Sequence, residues 1–91
     1  MRTPLTAAEI AAQTPEGWYV EQGKLTTRRE LPSFPEAIAF VQRVAELAEE
    51  LDHHPDIDIR WRTVVLAVNT HDAGGAITGK DIELARRVGA L

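Results

Sequence analysis

The sequence predicts an α+β two-layer sandwich, α-β-β-α-β-β-α in order, with a four-stranded antiparallel sheet and its helices on one face. Three observations carry this. A hydroxyl followed three residues later by a carboxylate occurs at Thr6…Glu9, Ser33…Glu36 and Thr78…Asp81, each a helix-start signature. Two pairs of β-prone segments flank the middle helix. The connections are short, which favours antiparallel neighbours in one sheet with helices packed on one side of it.

The first helix opens at the Thr6 box and runs to about Gln13, where Pro15 and Gly17 stop it. Trp18-Tyr19-Val20-Glu21, the pair Gln22-Gly23 and residues 24–31 read as a hairpin with a glycine in its turn. The second helix opens at Ser33, with Pro35 in the first turn, and extends to about Leu51. Ala37, Phe40, Val44, Ala48 and Leu51 form one apolar stripe, with Val41 beside Phe40. Ile38, Ala45 and Leu47 widen it, either as a deeply buried helix or as a face for another subunit. Pro55 forces the helix to have ended. Ile57-Asp58-Ile59-Arg60-Trp61 alternates as a half-buried strand, Arg62-Thr63 is the turn, and residues 64–70 form a denser, more central strand. Gly74-Gly75 marks a loop, and the Thr78 box opens a last helix with Ile82, Ala85 and Val88 on one face.

The 91 residues suit a single domain spanning 1–91, 44% hydrophobic and 26% charged. A chain this small buries only about 60–65% of its unfolded surface, so it needs a supplement. Without cysteine, disulfides, thiolate metal sites and cysteine nucleophiles are excluded, and oligomerisation is the remaining remedy. A net charge of -4 with scattered Lys and Arg argues against direct nucleic-acid binding. The longest apolar run, Val64-Val65-Leu66-Ala67-Val68, is far short of the roughly 20 residues that span a bilayer. With no signal-peptide hydrophobic region, the expected compartment is the cytoplasm.

All three histidines, His53, His54 and His71, fall within nineteen residues, among Glu49, Asp52, Asp72 and Asp81. Imidazole is the side chain best suited to carry protons near neutrality. His53 and His54 follow the second helix at its carboxyl end, and Glu49 stands four residues before His53, the helical spacing for a contact. His71 lies at the end of the central strand, which the sheet can bring beside that helix end. Three histidines and an aspartate could bind a divalent metal. Adjacent histidines before a proline rarely aim both rings at one ion, however, and the helical i,i+4 histidine pair is absent. Metal-free acid–base chemistry is therefore the expectation.

Glu49, His53-His54-Pro55, Trp61, His71 and Asp81 in this spacing resemble the signature of the pterin-4a-carbinolamine dehydratases. Leu51-Asp52-His53-His54-Pro55-Asp56 and Thr70-His71-Asp72-Ala73-Gly74-Gly75 are similar to family sequence, and the likeness spans nearly the whole chain. It implies dehydration of 4a-hydroxytetrahydrobiopterin to quinonoid dihydrobiopterin, with no cofactor and no metal, in a homodimer or homotetramer. It implies His53, His54 and His71 as catalytic residues. Substrate contacts would come from Asp52, Asn69, Thr70 and Asp72, together with Glu49, Pro55, Trp61 and Asp81. His53 and His71 would line a wet cleft rather than the core. The segment Gly74-Gly75-Ala76-Ile77-Thr78 is one residue longer than the common family form. Vertebrate members also act as dimerisation cofactors of a homeodomain transcription factor through the helix corresponding to residues 33–51, so a non-catalytic interaction protein is the alternative.

Overall fold

The computed structural model describes residues 3–91; Met1 and Arg2 lie outside it. Helix α1 (Ala7–Gln13) is followed by β1 (Trp18–Glu21), β2 (Lys24–Glu30) and α2 (Phe34–Leu51). Then come β3 (Asp56–Arg60), β4 (Thr63–Val68), a 3-10 turn (His71–Ala73) and α3 (Gly79–Gly89). The four strands form one antiparallel sheet in the order β1-β2-β4-β3, so β4 is central as expected and β1 and β3 are the edges.

Capping starts each helix. Thr6 and Glu9 exchange the two bonds of a complete box, Glu9 N–H to Thr6 Oγ1 at 3.1 Å and Thr6 N–H to Glu9 Oε1 at 2.9 Å. Ser33 makes half of one, accepting the Glu36 N–H at 3.3 Å, with Pro35 in the first turn where its missing N–H costs nothing. Thr78 and Asp81 complete the box of α3.

Strand parity sorts the sheet into two faces. Leu25 opposite Val68, Thr27 opposite Leu66, and Ile59 opposite Val64 put one apolar row beneath the helices. Ala37, Phe40 and Val44 of α2 meet that row, as do Ile82, Leu84, Ala85 and Val88 of α3, and Ala48 is buried on the same helix as the first three. Each of the larger ones, Phe40, Val44, Ile82, Leu84 and Val88, contributes about 1.5–3 kcal/mol on burial, which sets the helix positions firmly. Of the residues that widen the α2 stripe, Ile38 and Leu47 are half-buried and Ala45 is exposed. Helix α1 buries no residue of its own and is tied down through Leu5 and Ile10, with Leu5 N–H bonded to Ile77 C=O at 2.9 Å. Among the described residues no helix is long and apolar enough to cross a membrane.

Both hairpin turns have two residues. Gln22 and Gly23 take φ of 50° and 77°, the left-handed pair that suits strand twist. The second turn is Trp61-Arg62, one residue earlier than the Arg62-Thr63 that the sequence suggests, with Arg60 and Thr63 as the closing pair. Either register keeps Ile57 and Ile59 on the same side of the sheet, so alternation cannot choose between them; Ile59 packs against the core there, whereas Ile57 stays exposed. In the observed one, Thr63 also pairs with Glu30 of β2, and Trp61 leaves the strand for the turn at φ 55°. Strand β4 correspondingly ends at Val68 rather than Thr70, and Thr70 instead forms an isolated bridge with Ala76.

Candidate active site

The carboxyl end of α2 sets the geometry. Asp52 caps the helix in the left-handed conformation, φ 50° and ψ 46°, and the His53 N–H reaches back to the Ala48 carbonyl at 2.9 Å. This six-to-one bond over a left-handed residue is the Schellman closure, usually made by glycine. It reverses the chain so that neighbouring histidines part company. His53 turns inward and is 8% exposed; His54 turns out to the rim, half-covered, and Pro55 holds it extended.

His53 Nε2 lies 2.6 Å from Oδ1 of Asp81, a carboxylate with no solvent exposure at the start of α3. Asp81 Oδ2 accepts the Thr70 hydroxyl and the Thr78 backbone N–H, both at 2.8 Å. His54 Nε2 lies 2.6 Å from Glu49 Oε2 on the open surface. The spacing of Glu49 and His53 therefore does not become a contact: α2 ends before His53, and the left-handed turn hands Glu49 to His54. His53 also departs from the wet-cleft expectation, because burial against Asp81 makes it part of the packed structure.

His71 opens the 3-10 turn on the opposite wall, exposed. Among the described residues its ring has no hydrogen-bond partner. The turn is tied shut behind it. Thr70 C=O accepts the N–H groups of Ala73 and Gly75 at 3.0 Å, and Gly74 caps it at φ 69°. Asn69 Nδ2 donates to the Gly75 carbonyl at 3.2 Å. Residues 74–78 fold away from the site: Ala76 bridges Thr70 and Ile77 enters the core.

Between these walls is an open cavity of about 440 Å³, lined by Asp52, His53, His54, Asn69, Thr70, His71, Asp72 and Lys80. The three histidines thus converge on one space, joined by four of the residues expected beside them. Asp81 and Glu49 stand behind the wall, each holding a histidine, and Pro55 fixes the chain that carries His54. Trp61 is not brought to the site. It sits in the β3–β4 turn at the far end of β3, 70% exposed, with the Arg62 guanidinium 4.9 Å from its ring centre.

Lys80 is the residue that sequence reasoning missed. It is half-buried and, among the described residues, without an ion-pair partner. The available signal was its place inside the Thr78…Asp81 box: a helix start beside the His71 loop carries its second residue toward the same space. No group of three or more His, Cys, Asp or Glu side chains among the described residues has the arrangement of a metal site.

Residues 3–91 match the family model described as pterin 4 alpha carbinolamine dehydratase. The chain belongs to that family. A pterin-4a-carbinolamine dehydratase relative in Roseiflexus castenholzii, so named provisionally, is 51% identical over 97% of this chain and 96% of its own length. A provisionally named dehydratase of Nocardia farcinica is also 51% identical, over 100% of this chain and 98% of its own. The crystal structure of a transcriptional coactivator/pterin dehydratase from Brucella melitensis superposes with a TM-score of 0.89 at 29% identity, covering 97% of both chains. A pterin dehydratase-like protein identified as a RuBisCO assembly factor in the alpha-carboxysome shares the fold, with a TM-score of 0.65 at 23% identity over 80% of this chain and 83% of its own.

Proposed function

We propose that the chain dehydrates a pterin-4a-carbinolamine, using histidine acid–base chemistry without a metal, as in tetrahydrobiopterin recycling. The observation that carries this reading is the convergence of His53, His54 and His71 on one open cavity. The reaction asks for no nucleophile and no redox partner. The bond between C4a and its hydroxyl oxygen breaks, the hydroxyl leaves as water with an added proton, and the neighbouring ring nitrogen loses its proton as the C=N bond forms. Two imidazoles on separate walls, one carrying a proton and one free, suffice for that exchange. His53 and His71 occupy such positions, and His54, pinned by Glu49, suits orientation of the flat ring system.

Stopped-flow dehydration of the 4a-hydroxytetrahydropterin tests the reading. The expected result is a rate well above the spontaneous one, unchanged after dialysis against a strong chelator. No acceleration would overturn the proposal, leaving a non-catalytic interaction role for this fold. Activity lost to the chelator and restored by zinc would overturn the metal-free mechanism.

A further inference from the structure

We infer that Thr70 is a positioning residue: with Thr78 it aligns the Asp81 carboxylate so that His53 presents its Nδ1 to the cavity as a proton acceptor. The use made of Nδ1 rests on the dehydratase reading; the alignment does not.

The hydrogen bonds allow one ordering of protons. A carboxylate only accepts, so each contact to Asp81 must bring its own hydrogen. Oδ2 takes the Thr78 N–H and the Thr70 O–H, each at 2.8 Å. Thr70 has then spent its single proton, and its 2.7 Å contact with Thr78 Oγ1 must be completed by the Thr78 hydroxyl proton. Thr78 Oγ1 in turn accepts the Lys80 N–H at 3.2 Å. Thr70, Thr78 and Asp81 are at most 2% exposed, so solvent does not offer alternative partners. With Oδ2 doubly occupied, Oδ1 is the oxygen left for His53, at 2.6 Å, and Nε2 must be the donor. In the neutral ring that leaves Nδ1 with its lone pair, without a partner among the described residues, on a ring that lines the cavity.

In the reaction, Nδ1 takes the proton from the ring nitrogen beside C4a while the C4a–O bond breaks. The water that departs carries a proton from the opposite wall, where His71 stands. Thr70 touches Asp81, and its effect on the rate runs through His53.

The test compares the wild type with Thr70→Val, which keeps shape and loses the hydroxyl, and Thr70→Ser, which restores it. Two-bond proton–nitrogen NMR at about pH 8.5, roughly two units above the unperturbed histidine pKa, reads the tautomer directly. The expected result is a single Nε2–H form for His53 in the wild type and in Thr70→Ser, and a mixture in Thr70→Val. In the dehydration assay, Thr70→Val should lose about tenfold in kcat with KM little changed, and Thr70→Ser should recover it. A wild-type Nδ1–H form overturns the inference, as does a Thr70→Val tautomer identical to the wild type whatever its rate. If Thr70→Val does not fold by circular dichroism, the smaller Thr70→Ala takes its place in the same readings. A wild type with the stated tautomer but no dehydratase activity sinks the functional reading and leaves the alignment standing.

Discussion

His53 and His54 are consecutive in the chain, yet each lies 2.6 Å from a different carboxylate, Asp81 in the interior and Glu49 at the surface. The two contacts have equal length and very unequal consequences. A surface pair is worth roughly 0–1 kcal/mol, because water screens it and two mobile side chains must be held. A buried acceptor that satisfies three donors strands all of them when it is removed, at about 1–3 kcal/mol for each group left unpaired.

Asp81→Asn should therefore destabilise the fold by about 2–4 kcal/mol, through the lost cap and the donors facing an amide. Glu49→Gln should change stability by less than about 1 kcal/mol. Urea denaturation of both variants checks the difference. Equal effects would mean that the interior network contributes no more than the rim contact.

Replacing His71 by alanine should lower kcat by about 10²–10⁴ without changing stability, since its ring is exposed and has no hydrogen-bond partner among the described residues. His53→Ala should lower kcat by a similar factor and also destabilise the protein, because it leaves Asp81 Oδ1 buried without its donor. The double variant should cost less than the product of the singles, as groups serving one transition state do. Kinetics paired with thermal melts separate the two contributions. A folded His71→Ala protein at full kcat would remove His71 from the mechanism.

Lys80→Ala should raise KM for the carbinolamine by about tenfold and leave kcat nearly unchanged, the loss expected for one charged hydrogen-bond donor. Folding should persist, since Thr78 caps the helix through the backbone N–H of Lys80, which the substitution leaves in place. Lys80→Arg should recover most of the binding. A fall in kcat with KM unaltered would place this ammonium in the chemistry instead.

Sedimentation at micromolar concentration should show a homodimer or homotetramer rather than a 10.1 kDa monomer. The small core, the missing disulfides and apolar side chains left half-covered along α2, among them Ile38, Val41 and Leu47, all point that way. A fully active monomer would contradict it.

The helices were legible because their starts are chemical: a hydroxyl and a carboxylate three residues apart satisfy the same backbone donors wherever they occur. The sheet was legible because parity is robust, and for that reason the Trp61-Arg62 turn was not; two registers share one parity. At the site, residue type drew attention to the histidines, but their partners depend on one backbone angle. Spacing along α2 joins Glu49 to His53 only if the helix continues, and the positive φ of Asp52 ends it. Lys80 escaped notice because nothing in its type distinguishes it from a solvated lysine until the cavity is seen.

The residues that begin α3 are also those that hold His53. Thr78 and Asp81 close the first turn of the helix, and the same carboxylate fastens the histidine from the end of α2. Fraying of that turn and release of the imidazole are therefore one opening event, with one free energy. Amide exchange at Lys80 and Asp81 should quicken as the fraction of molecules competent for chemistry falls, and slow as it rises. Any change elsewhere that loosens the carboxyl-terminal helix, however distant from the cavity, should then register first as lost turnover.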